Sequence, residues 1–204
     1  MDEPRGRLFG TAGSSAFVSR RRALTAALAL MALVIWATPT MAADRYLFDR
    51  IHDDLSSAVL DDIVPVINDF GSSKYVIGAV LLTTVLGNDE LRGTGLLVGA
   101  GFAASALTTV ALKRSIGRSR PLNPEDSYSM PSGHATVAFS AATALAHRYP
   151  RWRFAFYTVA GGVAFARVYL GRHYPSDVLV GAAVGVGMTR LVLGHEQRIL
   201  SVSF

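Results

Sequence analysis

The sequence predicts an all-α fold, a membrane-embedded bundle of about five or six helices. Three observations predict it. Half of the 204 residues are apolar and only 17% are charged, with a mean hydropathy of +0.33. That balance lies above an ordinary soluble enzyme and below a protein made only of long membrane spans. Five apolar stretches follow one another at 75–87, 94–112, 134–146, 154–166 and 178–189. Two of them, 154–166 and 178–189, carry no charge on any face, whereas a surface helix of a soluble bundle shows a polar stripe.

The chain has room for one domain with a sizeable core, divided as a leader at 1–43, an amphipathic segment at 44–70, the bundle at 71–195 and a short tail at 196–204. Residues 1–19 are rich in Gly, Ser and charge and read as disordered. Arg20, Arg21 and Arg22 then precede the apolar run 23–37 and small residues near Ala42. This describes either a secretory signal peptide or a first membrane helix, and Ser19-Arg20-Arg21 is a loose match to a twin-arginine leader. Both readings send the residues after 43 out of the cytoplasm. In 44–70, Leu47, Ile51, Leu55, Val59, Ile63 and Val66 recur at helical spacing. That pattern predicts an amphipathic helix or a pair of them, packed on the fold or the membrane surface. Asp53, Asp54, Asp61 and Asp62 between them read as a solvated face rather than a metal site.

Among the five stretches, 94–112 has 19 uncharged residues and would reach roughly 28 Å, close to the hydrocarbon thickness of a bilayer. The other four need flanking residues, tilt or local thinning to span. Glycines at 161, 162, 181, 185 and 187 would allow the close helix contacts favoured in lipid. A soluble bundle of buried helices is the competing reading, but five such helices in so short a chain would lack a covering layer. With the amino terminus inside, eleven cations fall on the cytoplasmic side and nine outside. Setting aside Lys113, Arg120 and Arg167 as chemical groups makes it eleven to six, the bias expected of a bundle whose three motif segments face outward.

A net charge of +5 suits an anionic surface or a phosphorylated substrate. Nucleic acid is the weakest partner, because the basic residues are scattered among apolar runs and form no stripe. With no cysteine, disulfides and thiolate metal sites are excluded.

Three short segments carry candidate chemistry. In Arg167-Val-Tyr-Leu-Gly-Arg-His173-Tyr-Pro-Ser-Asp177, Pro175 suits the first position of a new helix, which puts Asp177 in its first turn. From there Asp177 either caps its own helix or reaches back to one ring nitrogen of His173, fixing the tautomer and leaving the other nitrogen free to attack. In Pro131-Ser132-Gly133-His134, Ser132 is a natural N-cap and Gly133 lets an anion approach the free N–H groups, with His134 placed to donate a proton to a leaving oxygen. The plain alternative is a good helix start. In Lys113-Arg-Ser-Ile-Gly-Arg-Ser-Arg120-Pro121, the cations either anchor a membrane edge or bind phosphate oxygens, the arginine through a bidentate fork. Together the segments supply two histidines, an orienting acid, three cations and a helix amino terminus, the inventory for binding, attacking and releasing a phosphoryl group.

The pattern Lys-x6-Arg-Pro, Pro-Ser-Gly-His and Arg-x5-His-x3-Asp resembles the type 2 phosphatidic acid phosphatase and vanadium haloperoxidase superfamily. The resemblance implies an outward-facing site at the helix ends and a phosphohistidine intermediate. It implies His173 as nucleophile, Asp177 as its orienter and His134 as the acid. Lys113, Arg120 and Arg167 would clamp the phosphate, with Ser132 and Gly133 adding hydrogen bonds. The family often has Ser where this chain has Ala166, which removes an auxiliary hydroxyl. Three neighbouring cations suit a phosphate dianion and repel a divalent metal, so no metal or other cofactor is expected.

The implied enzyme is a membrane phosphatase in a bacterial-type inner membrane, facing the periplasm and acting on a lipid phosphate or diphosphate. Undecaprenyl diphosphate, phosphatidic acid and phosphatidylglycerol phosphate are the candidate substrates. The alternatives are a soluble periplasmic acid phosphatase, a haloperoxidase, and a non-enzymatic anion-binding or transport protein of the membrane. The oligomeric state is not legible.

Overall fold

The computed structural model describes residues 41–201, and all of their regular structure is helical. Except for its last residues, the leader expected at 1–43 lies outside the described residues. The helices are α1 Met41–His52, α2 Ala58–Phe70, α3 Ser73–Leu86, α4 Asp89–Ile116, α5 Gly133–Arg148, α6 Arg153–Tyr169, α7 Pro175–Leu193 and α8 Glu196–Ser201, with a 3₁₀ turn Pro150–Trp152 before α6.

Each of the five apolar stretches becomes one helix from α3 to α7; α4 to α7 extend past their stretch at both ends, while α3 starts two residues early and stops one residue short. The largest extension is α4, whose 28 residues begin where the Asn88 side chain accepts the Leu91 N–H at 3.0 Å. It stops at Gly117, whose φ of 62° closes the helix in the left-handed region. Both α4 and α7 are long and apolar enough to cross a membrane. No residue of α3 is buried, although Ile77, Leu81, Leu82, Val85 and Leu86 are large and apolar.

The segment 44–70 forms a pair of helices. On α1, Phe48 is buried with Ala135, Val168 and Val178; on α2, Val64 is buried with Ala166 and Tyr169 of α6. Asp53, Asp54 and Asp62 are exposed as expected, but Asp61 does more than face solvent. It accepts the Tyr169 hydroxyl at 2.6 Å, fastening α2 to the end of α6.

At the centre α5 packs against α4, α6 and α7. A Cβ added at Gly181 or Gly185 of α7 would lie 2.6 Å from the Ser132 carbonyl oxygen and 2.4 Å from that of Thr136. Only hydrogen fits there. Gly162 also sits against a neighbour, 3.3 Å from Ile67, whereas Gly161 and Gly187 face no atom within 4 Å and are not contact glycines. Buried hydroxyls join the same three helices, Ser140 to Thr189 at 2.8 Å and Thr109 to Thr136 at 3.2 Å. Because successive long helices run antiparallel, the carboxyl ends of α4 and α6 meet the amino ends of α5 and α7.

The two glycine environments predict opposite effects of one substitution. Gly185→Ala forces a methyl onto the α5 backbone and should cost about 1–3 kcal/mol. Gly187→Ala meets open space and should be neutral or stabilising, since alanine is the better helix former by about 0.5–1 kcal/mol. Thermal unfolding in detergent checks the pair; equal shifts would contradict the packing.

Candidate active site

The α6–α7 connection holds the centre of the site. After Tyr169 the chain turns through Gly171 at φ 67°, where a Cβ would lie 2.3 Å from the Leu122 side chain. The N–H groups of Arg172 and His173 donate to the Arg167 carbonyl at 3.1 and 3.2 Å. His173 is thereby pinned in the interior at 2% exposure. Pro175 opens α7 as its spacing implied, which places Asp177 in the first turn. There Asp177 makes the helix cap and also stands beside the His173 ring. Its Oδ2 accepts the Tyr174 N–H at 2.8 Å, capping the helix, and the same oxygen lies 3.5 Å from His173 Nδ1. That contact is long for a hydrogen bond, and Nδ1 is buried without a closer partner. Burial, reinforced by the charges of Arg167 and Arg120, pushes the imidazole of His173 down to about 4 despite the neighbouring carboxylate.

The Ser132 N–H donates to the Asp177 carbonyl at 2.9 Å, docking the start of α5 on the start of α7. Ser132 occupies the N-cap position but makes no side-chain cap bond. Its Oγ is buried and unpartnered. A Cβ at Gly133 would meet nothing within 4 Å, so open space lies before the α5 amino terminus. His134 follows in that first turn, within electrostatic range of His173, Arg167 and Arg120.

The three expected cations converge on the same end. Arg167 is buried; its Nη1 donates to Asn68 Oδ1 at 2.7 Å and its Nε has no partner. Arg120 pairs through Nε with Asp126 Oδ2 at 2.7 Å and donates from Nη1 to the Arg172 carbonyl at 3.3 Å. The Tyr128 N–H, and then the Arg120 charge, hold the Asp126 carboxyl below the usual carboxylate range. Lys113, in the last turn of α4, donates from Nζ to the Tyr128 carbonyl. Beside Arg120 opens a cleft of about 430 Å³, with Asn123, Asp126 and Arg172 in its wall. Unpartnered buried donors around open space, within range of three cations, can bind a tetrahedral anion.

The sequence reading missed the groups that hold Asp177. Arg118 donates from Nη1 to Asp177 Oδ1 at 2.9 Å and to Ser176 Oγ at 2.6 Å, and from Nη2 to Asp44 Oδ2 at 2.6 Å. Ser129 donates its hydroxyl to Asp177 Oδ2. Arg118 lies inside the first segment, two residues before Arg120, so its presence was visible and its role was not. Asp44 and Asn68 carry no local signal, because their partners are far away in the chain.

The sequence model of the PAP2 superfamily matches residues 94–199, just over half the chain. The chain is 36% identical over 124 residues to a lipid A 1-phosphatase of Rhizobium etli, a match covering 53% of this chain and 46% of that protein. It therefore spans less than half the length of that relative. Against phosphatidylglycerophosphatase B of Bacillus subtilis it is 31% identical, over 69% of this chain and 77% of the relative. The fold superposes with a TM-score of 0.70 on the crystal structure of a transmembrane PAP2-type phosphatidylglycerolphosphate phosphatase from Bacillus subtilis. That match has 24% identity and covers 86% of this chain and 96% of the other.

An anion site of this kind should be measurable without turnover. Orthovanadate should raise the melting temperature in detergent, a gain of about 2.7 kcal/mol at a hundredfold excess over Kd. Arg167→Ala should abolish that shift. A vanadate shift undiminished in the variant would remove Arg167 from the site.

Proposed function

We propose that this chain, which belongs to the PAP2 superfamily, is a metal-independent membrane phosphatase acting on a lipid phosphate or diphosphate through a phosphohistidine. The observation that carries the reading is the buried His173 backed by the buried Asp177 and faced by the unpartnered donors of Arg167 and Ser132. Asp177 fixes the proton on Nδ1, leaving Nε2 of a neutral ring to attack phosphorus. As the N–P bond forms, the bond to the leaving oxygen breaks and His134 supplies its proton. Water then attacks the phosphohistidine, giving its proton to His134; as the new O–P bond forms the N–P bond breaks, which restores the neutral His173 and releases inorganic phosphate. Lys113, Arg120 and Arg167 neutralise the equatorial oxygens, with Ser132 Oγ and the α5 amino terminus as further donors. Three cations around the reacting group take the part a divalent ion would otherwise play.

The membrane placement rests on α4 and α7 and on α3, which packs one face on α4 and leaves Ile77, Leu81, Leu82, Val85 and Leu86 exposed, an apolar surface that matches lipid. In that placement the hydrocarbon chain stays in the bilayer while the headgroup enters at the helix ends. The cation bias, eleven to six once the three site cations are set aside, supports a placement of those ends on the periplasmic face of a bacterial-type inner membrane. The relatives named above act on lipid A and phosphatidylglycerophosphate, by their names, and both join undecaprenyl diphosphate and phosphatidic acid as substrates to assay.

The direct test is phosphate release by detergent-purified protein over a panel of lipid and soluble phosphate esters. Release should persist in EDTA, stop with vanadate and disappear in His173→Ala. Full activity in that variant would exclude the histidine mechanism. Activity confined to soluble esters, with the protein recovered in a detergent-free extract, would favour a secreted acid phosphatase; tight binding without turnover would favour a non-enzymatic anion binder.

The lowered pKa of His173 makes a separate prediction. The attacking ring must be neutral, and it stays neutral on acidification until the pH approaches about 4. The acid limb of kcat/KM, corrected for the second ionisation of the substrate phosphate near pKa ~6, should therefore lie well below the ~6.5 of a free imidazole. A corrected limb at the free-imidazole value would contradict the buried, cation-flanked ring.

A further inference from the structure

We infer that Arg118 and Asp44 are positioning residues for the nucleophile, so that α1, outside the region matched by the family, completes the active site. The inference rests on the phosphatase reading above and concerns what holds its catalytic pair in register.

Asp177 is fully buried, and its two oxygens are loaded unequally. Oδ2 receives the Ser129 hydroxyl and the Tyr174 N–H, and it also faces His173 Nδ1. Oδ1 receives Arg118. Rotation about the Cβ–Cγ bond would exchange the two oxygens and break the arginine contact, so Arg118 locks the rotamer in which Oδ2 faces the histidine. Arg118 is itself locked. Its guanidinium carbon lies 4.2 Å from the centre of the Tyr174 ring, with Asp44 on one amino group and Ser176 and Asp177 on the other. Asp44 closes the arrangement: at 4% exposure it accepts the Ser176 N–H at 2.9 Å, the Ser176 hydroxyl and Nη2 of Arg118. One guanidinium thus joins two buried carboxylates from helices separated by most of the chain.

Without Asp44, one amino group of Arg118 would lose its carboxylate and could turn toward the phosphate site, where it would compete with Arg120 and Arg167. Without Arg118, Asp177 could rotate and close on His173. The groups facing that pair are Arg167, Arg120 and His134 around His173, with Arg118, Lys113, Ser129 and Tyr174 around Asp177. Loss of the Arg118 charge raises the proton affinity of both members.

The test compares Asp44→Asn and Arg118→Gln with Phe48→Ala, which loosens the packing of α1, including its contact with the Tyr174 ring, but removes no hydrogen-bonding group. Each is purified in detergent and its folded fraction measured by thermal unfolding. Per folded molecule, the two polar variants should lose about 10- to 100-fold in kcat, with KM changed little. Arg118→Gln should also move the acid limb of kcat/KM upward. Phe48→Ala should lose stability alone. Should Arg118→Gln not fold, Asp44→Asn, which preserves shape and the Arg118–Asp177 pair, decides the matter. If the polar variants behave like Phe48→Ala, or kcat and KM fall together without a shift of the limb, the network is structural and the inference fails. Activity surviving in His173→Ala would overturn the phosphatase reading instead.

Discussion

A carboxylate in the interior is tolerable only when its charge is matched and its lone pairs are filled, and Asp177 imposes that requirement on the whole end of the bundle. The donors that satisfy it come from separate places: Arg118 and Ser129 from the α4–α5 connection, Tyr174 from the turn before α7. The Asp177 carbonyl takes the Ser132 N–H as well. Satisfying one side chain therefore folds a long connection over α7 and docks the start of α5 beside it. Ser132, Gly133 and His134 come to lie at the same end as the start of α7, with His134 in electrostatic range of His173.

That docking would fail if α5 and α7 stood at an ordinary separation. Helix axes packed through branched side chains lie about 8–10 Å apart. The α7 face toward α5 instead carries Gly181 and Gly185, set directly on the Ser132 and Thr136 carbonyl oxygens. The carbonyl that Gly181 accommodates belongs to the N-cap of α5. The backbone approach deep in the bundle and the polar contact at its end are thus two parts of one constraint.

Most of the layout was legible because it depends on local pattern. Five apolar stretches gave five helices, and Pro175 opened α7, which set Asp177 in a first turn beside the preceding His173. Legibility stopped where a residue's meaning depends on a distant partner. Asp44 looks like any acid in a first turn, and only the fold places it on Ser176 and Arg118. Asp61 looked solvated because its partner, Tyr169, lies on α6. The glycines divided for the same reason, since a sequence names the small residues but not the ones facing a neighbour. Ser132 departed from its pattern in the opposite sense. It took the N-cap position with its hydroxyl unspent, an absence of bonding that composition cannot reveal.

The way each cation is anchored separates two kinds of arginine in this site. Arg118 is gripped by two buried carboxylates, and a cation so compensated has little field left for a substrate. Arg167 is oriented by the neutral amide of Asn68 and Lys113 by the neutral carbonyl of Tyr128. A neutral anchor fixes direction without cancelling charge. Arg120 lies between the two cases: its partner Asp126 is partly exposed, so water screens that pair more than it screens a buried one. The buried acids are thus spent on Arg118, while Lys113, Arg120 and Arg167 keep most of their charge for the space before α5. An excess of positive charge held by neutral anchors suits an anion in that space better than a cation.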